Sequence, residues 1–159
     1  MIKIIQADLT NSNHAEALVY LLNRYALDPM GGGEGLSDFT KDNLAKEILK
    51  RTDITVILAF DGDKPAGIIN CIEGFSTFKC KPLINIHDVY VDADSRGKRI
   101  ATKLLQAAED LAIEKHCCKI TLEILEGNEP AKLAYLKFGF ASYELDPKMG
   151  KAMFWEKNL

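Results

Sequence analysis

Arg96, Gly97, Lys98 and Arg99, followed by Ile100, Ala101, Thr102 and Lys103, combine the residue types that bind a phosphate. The run follows an apolar strand-like segment. It opens a stretch in which Ile100, Leu104, Leu105, Ala108, Leu111 and Ala112 fall on one face of a helix. A helix is therefore expected to begin near Lys98, where the first backbone N–H groups lack intrahelical acceptors. Unpaired N–H groups, a glycine that lets backbone approach a ligand and four clustered cations would cradle a phosphate or pyrophosphate. The plainer alternative is a strand-to-helix turn with a solvated basic patch.

A second pair able to do chemistry, His87 and Asp88, lies within the preceding strand-like segment, Leu83 to Asp92. Ile84 and Ile86 place its apolar face on even positions, whereas Val89 and Val91 place it on odd ones. Side chains alternate strictly along a strand, so the switch requires burial of both faces or one extra residue, a β-bulge. The titratable pair at the switch favours the bulge. A bulge between Ile86 and Val89 would end regular pairing there and leave backbone groups of Val89, Tyr90 and Val91 open to a ligand lying along the strand.

The elements that must hold these groups follow from patterning. Ile2 to Ala7 reads as a first strand, and His14 to Leu27 as an amphipathic helix carrying Ala17, Leu18, Leu21, Leu22 and Tyr25. Asp28 to Gly35, with three consecutive glycines, breaks regular structure. It is expected to be a mobile lid, a backbone approaching a ligand, or a flexible connection. Ser37 or Asp38 can cap a helix to about Arg51. Ile54 to Phe60 and Ala66 to Glu73 flank a turn and read as a hairpin. Lys119 to Leu125 is a further strand. A short helix runs from Pro130 to about Phe138, with Ala131, Ala134, Tyr135 and Phe138 as its buried stripe and Gly139 as its stop. Two tail strands are expected around Ala141 to Leu145 and Lys151 to Lys157. The order indicates an α+β fold with a mixed sheet.

The totals exclude several function classes. The 159 residues suit one domain, 1–159, and the net charge of −3 argues against a nucleic-acid backbone binder. No signal-peptide pattern or membrane-length apolar run is seen, so no membrane partner is expected. Cys71 and Cys80 are isolated, and the adjacent Cys117 and Cys118 lack metal or redox spacing. A reduced, cytoplasmic protein without a metal is expected, with Cys118 a core residue at a strand start. A homodimer is compatible with such a chain. The phosphate-loop pattern of nucleotide hydrolases and the dinucleotide glycine fingerprint are both missing.

Asn128, Ala131, Tyr135, Gly139 and Phe140 complete a second spaced pattern, N-x-x-A-x-x-x-Y-x-x-x-G-F. Together with R-G-x-x-I-A at Arg96 to Ala101, in this order and separation, it resembles the GNAT family of N-acetyltransferases. The resemblance is specific over about residues 83–140. It implies a mixed, mostly antiparallel central sheet with helices on both faces and a splayed parallel strand pair at the cofactor site. Acetyl-coenzyme A (acetyl-CoA) would lie between the strands Leu83 to Asp92 and Lys119 to Leu125. Its pyrophosphate would rest on Arg96, Gly97, Lys98, Arg99, Ile100 and Ala101, and its pantetheine against Val89, Tyr90 and Val91. Asn128 would bond the cofactor arm, and Tyr135 would sit near the sulfur. The family usually has Gly where this chain has Arg99, so that side chain must project away from the pyrophosphate, alter the loop, or add a charge.

The implied reaction moves an acetyl group from a thioester to a primary amine, expected to belong to a small molecule. An amine of pKa near ~10 is mostly protonated at neutral pH, so the site needs a base, an oxyanion donor and an acid for the thiolate. His87, with an unperturbed pKa of about 6.5, is the first candidate base. It sits where many members carry Glu or His. Asp88, Glu123, the more distant Glu73 and ordered water compete with it. Tyr135, a phenol of pKa about 10 against ~8.5 for a thiol, can protonate the thiolate. The segments Asp28 to Asp38 and Glu73 to Phe78 are candidate acceptor walls. Their carboxylates favour a cationic amine of polyamine, aminoglycoside or lysine type. A peptide amine and a catalytically silent acetyl-CoA-binding module are the rival readings.

Overall fold

The computed structural model describes residues 1–159, which divide into two compact units, Met1–Leu122 and Glu123–Leu159. The first unit holds strand β1 (Ile2–Gln6), helices α1 (Ser12–Leu27) and α2 (Asp38–Leu49), strands β2 (Ile54–Asp61), β3 (Lys64–Ser76) and β4 (Lys81–Val91), helix α3 (Ile100–Glu114) and strand β5 (Ile120–Leu122). The strands form one sheet in the order β1-β2-β3-β4-β5. The first three neighbouring pairs are antiparallel, and β4 and β5 run parallel. The second unit holds helix α4 (Glu129–Phe138).

Both faces of the sheet are covered. Ala17, Leu18 and Leu21 of α1 bury against Val56, Leu58, Ile68 and Tyr90, with Leu44, Ala45 and Ile48 of α2 beside them. The other face carries α3, whose Ile100, Leu104, Leu105, Ala108, Leu111 and Ala112 are the buried stripe that the spacing predicts. Local signals place the helix ends. The Asn11 side chain caps α1 through Asn13 N, and Ser37 caps α2 through Thr40 N. No helix is long and apolar enough to cross a membrane.

The parity switch in β4 is a bulge. Cys71 pairs with Ile86 and Asn70 with Asp88, which leaves His87 as the extra residue. Ile84, Ile86, Val89 and Val91 therefore share the α3 face, while Asp88 and Tyr90 lie on the α1 face. Tyr90 is itself buried, so this stretch is covered on both sides as well.

Five expectations need correction. The helix predicted from Lys98 starts at Ile100, because Gly97 and Arg99 take left-handed φ values of 80° and 58°, which no right-handed helix includes. The strand expected over Lys119 to Leu125 spans only Ile120–Leu122. Its one neighbour is β4, and that ladder ends at Ile86, where the bulge begins. The two tail strands reduce to a single bridge, Glu144 with Lys151. Alternating apolar residues do not make a strand without a neighbouring ladder. The predicted buried stripe of α4 is also absent: no residue of that helix is buried, and Ala134 is exposed. Cys118 is not the expected core residue at a strand start: it is half-buried and precedes β5, its N–H donating to Pro82 O at 2.9 Å.

Candidate active site

The open end of the β4–β5 pair is made from backbone. Pairing covers Ile84 with Ile120, Asn85 with Thr121 and Ile86 with Leu122, then stops. Beyond the bulge, Val89, Tyr90 and Val91 bond to β3 on one side only, through the register with Ile69, Ile68 and Gly67. Their other edge is available to an extended ligand, as a further strand would be.

The phosphate-type loop continues from this edge. Asp92 is completely buried and caps the turn Ala93–Ser95 through Asp94 N. Its other oxygen accepts from Arg24 Nε of α1 at 3.2 Å. Gly97 follows at φ 80°, and a Cβ added there would meet nothing within 4 Å. Arg99 makes no side-chain cap, so the amides from Ile100 onward begin α3 uncapped. Such amides, at the positive end of the helix dipole, suit an anion.

The cations of the loop divide into two groups. Arg96 reaches Asp28 at 3.4 Å and Lys98 reaches Asp61 at 2.6 Å, whereas no carboxylate pairs with Arg99 or Lys103. The Lys98 hydrogen bond, more than any other influence, lowers the Asp61 carboxyl below its ordinary range. These residues fit a pyrophosphate: the loop is open above Gly97, the helix start is uncapped, and Arg99 and Lys103 carry no carboxylate partner.

Opposite, on the α1 face, Asp88 accepts from Asn70 Nδ2 at 2.9 Å. Tyr25 stacks on Tyr90 with ring centroids 5.7 Å apart. Burial, then the charges of Asp88 and Asp28, raise the Tyr25 phenol above its usual pKa. His87 is exposed at the bulge. The glycine-rich segment is a tied turn: Asp28 caps Met30 N, and the amides of Gly31 and Gly33 both donate to Asp28 O. Gly31 packs so tightly that a Cβ would lie 2.0 Å from Tyr25 O. Of the expected acceptor walls, Glu73 is held by Lys115 at 2.7 Å.

In the second unit, the Asn128 side chain caps α4 by accepting from Ala131 N at 3.3 Å. Tyr135 lies edge-on to Phe140, centroids 5.9 Å apart.

A family model described as acetyltransferase (GNAT) matches residues 16–140. The chain belongs to the GNAT acetyltransferase family. Among curated proteins, this GNAT chain is 31% identical over 65 residues to the thialysine N-epsilon-acetyltransferase of Bos taurus. That match spans 41% of the chain and 38% of the bovine protein. Among solved structures, one described as "a probable acetyltransferase" superposes with a TM-score of 0.80 at 24% identity, covering 99% of each chain. An aminoglycoside N-acetyltransferase in complex with coenzyme A superposes with a TM-score of 0.76 at 19% identity, covering all of this chain and 96% of that one. Both share the GNAT fold.

Reading this GNAT sequence by itself missed three residues: Arg24, Asn70 and the buried role of Asp92. Asn70 left a signal, since it interrupts the apolar run from Ala66 to Ile72.

Proposed function

We propose that the protein is an acetyl-CoA-dependent N-acetyltransferase that modifies the primary amine of a small molecule by direct attack. The observation that carries this reading is the bulge at His87, which opens the β4 edge and leads into an uncapped helix start. The coenzyme A complex of a solved structure with the same fold supports the choice of donor. Acetyl-CoA, when bound, supplies the activated acetyl thioester.

The chain's own residues hold and prepare the reactants. Val89, Tyr90 and Val91 offer backbone to the pantetheine arm, and an N–H near Val89 is the oxyanion donor. Gly97, Lys98, Arg99, Ile100 and Ala101 receive the pyrophosphate. Arg96 joins them when it leaves Asp28, and Asn128 bonds the cofactor arm beyond its cap contact. His87 takes the amine proton, and Tyr135 protonates the leaving thiolate. The acidic acceptor side and the fold shared with aminoglycoside acetyltransferases support a cationic small amine.

A thiol-release assay with acetyl-CoA against a panel of small amines tests the reading. Amine-dependent release is expected. Binding of acetyl-CoA with no release for any amine or peptide N-terminus would leave a silent binding module instead.

A further inference from the structure

The α1 face of the sheet holds a polar pair that acetyl transfer alone does not require. Asn70 sits in the middle of β3, in a stretch where Ala66 to Cys71 are all buried, and is itself 5% exposed. Its Nδ2 donates to Asp88 Oδ2 at 2.9 Å. That bond fixes the amide, because the reversed orientation would set its carbonyl against a carboxylate. The Asn70 Oδ1 is buried and has no hydrogen-bond partner. Leaving a buried carbonyl oxygen unbonded is costly, and an apolar side chain of similar shape would avoid that cost.

Asp88 is half-buried, and the Asn70 amide is its partner; no cation stands within ion-pair reach. The contrast with Asp28 and Asp92 is direct, since those carboxylates meet Arg96 and Arg24. Tyr25, near the C-terminal end of α1, stacks on Tyr90 with ring centroids 5.7 Å apart, and Tyr90 lies two residues from Asp88 on the same face, so the pair sits near the end of α1.

A carboxylate without a cation and an amide oxygen without a donor are together what an ammonium group satisfies, with its charge and three N–H donors. The reacting nitrogen is a poor occupant. It must lose a proton before it attacks, and an adjacent carboxylate holds that proton in place. An ammonium that stays charged throughout is the better one. Resting on the proposed transfer of acetyl to an amine, we infer that Asn70 and Asp88 seat a second, non-reacting ammonium of the acceptor. The substrate class is then a diamine, or an amine carrying a separate ammonium, and Asn70 is a specificity residue.

The experiment measures kcat/KM at saturating acetyl-CoA for 1,3-diaminopropane and 1,4-diaminobutane against propylamine and n-butylamine. The wild-type protein should favour the diamines. Asn70→Ala should lower the diamine-to-monoamine ratio about tenfold or more, mainly through KM. Asp88→Asn, which keeps the shape, provides the same test should Asn70→Ala not fold. An unchanged ratio, or no diamine preference in the wild type, overturns the inference. A second readout does not depend on turnover. The ¹⁵N side-chain amide resonance of Asn70 in the wild-type protein should shift with 1,4-diaminobutane and not with n-butylamine. If no amine is acetylated, the functional reading fails, and this titration still decides the ammonium seat: a diamine-specific shift supports it, and no shift overturns it.

Discussion

At the open edge of β4 the protein presents main chain: three residues bonded on one side only, a left-handed glycine and the uncapped start of α3. On the face beneath α1 it presents side chains gathered from distant elements: Tyr25 and Asp28 from the end of α1, Asn70 from β3 and Asp88 from β4. On the proposed function, the first region would receive a phosphate leading into an extended arm through main chain of fixed shape. The second consists of particular charges, so on the same proposal a change at one residue would alter the acceptor. A GNAT protein can therefore keep its donor and alter its acceptor without touching the same atoms. Arg24, paired with the buried Asp92, joins the two regions, tying the loop that leads to Gly97 onto the helix that carries Tyr25.

The largest expected effect tests the acid. Tyr135→Phe should lower kcat by roughly 10²–10⁴-fold with acetyl-CoA affinity nearly unchanged, measured by thiol release and calorimetry. Unchanged turnover on an accepted amine would assign the ring to packing against Phe140. The base is tested next. If His87 takes the proton, kcat/KM should rise with pH on its acidic limb, and His87→Ala should remove that limb and lower the rate. Asp88→Asn should have a smaller effect on the limb. A retained limb in the His87 variant moves the base to Glu123 or ordered water.

Arg24→Ala then tests the join between the regions. It leaves the buried Asp92 carboxylate without its cation, so stability should fall, though less than for a pair buried on both sides, because the Arg24 side chain is 41% exposed. Urea unfolding should show the loss, and coenzyme A affinity should fall with it. A stable variant with unaltered cofactor binding would show the two regions to be independent. Gly97→Val addresses the backbone site alone. A β-branched residue at φ 80° carries about 1–3 kcal/mol of strain, so coenzyme A affinity should fall roughly ten- to hundredfold as the loop relaxes. Equal affinity would mean that the loop is not the cradle.

The same contrast explains what could be read in advance. The backbone region was legible because local chemistry writes it: the parity change from Ile84 and Ile86 to Val89 and Val91 announces the bulge, and the apolar stripe from Ile100 to Ala112 announces α3. The start of α3 was displaced by two residues because a left-handed Arg99 leaves no mark in composition. The side-chain region was legible only in part: Asp88 and Asp28 stood out as candidates, but their partners did not. Asn70 and Asp88 meet across a register that depends on one extra residue, and Arg24 and Asp92 lie 68 positions apart. The tail shows the converse failure, since the apolar alternation expected to form two strands yields one bridge.

The smallest expected effect uses neighbours that point to opposite faces. Asn70 lies on the polar α1 side, and Cys71, next in the chain, is buried on the α3 side and paired with Ile86. Burial pushes the Cys71 thiol from 9.0 up to about 12. Once unfolded, the same thiol ionises near its ordinary value. Between those two pH values the unfolded chain has released a proton that the folded chain keeps, so stability falls as pH rises through that window. For one group the slope is at most about 1.4 kcal/mol per pH unit. Urea midpoints from about pH 8 to 10.5 should therefore decline less steeply for Cys71→Ala than for the wild type, although the variant starts lower because it leaves a small cavity. The wild-type thiol should also resist a water-soluble disulfide reagent that readily modifies the exposed Cys80. Parallel pH curves with rapid Cys71 modification would mean that water reaches the α3 face, and the contrast between a dry side of the sheet and a polar side would fail.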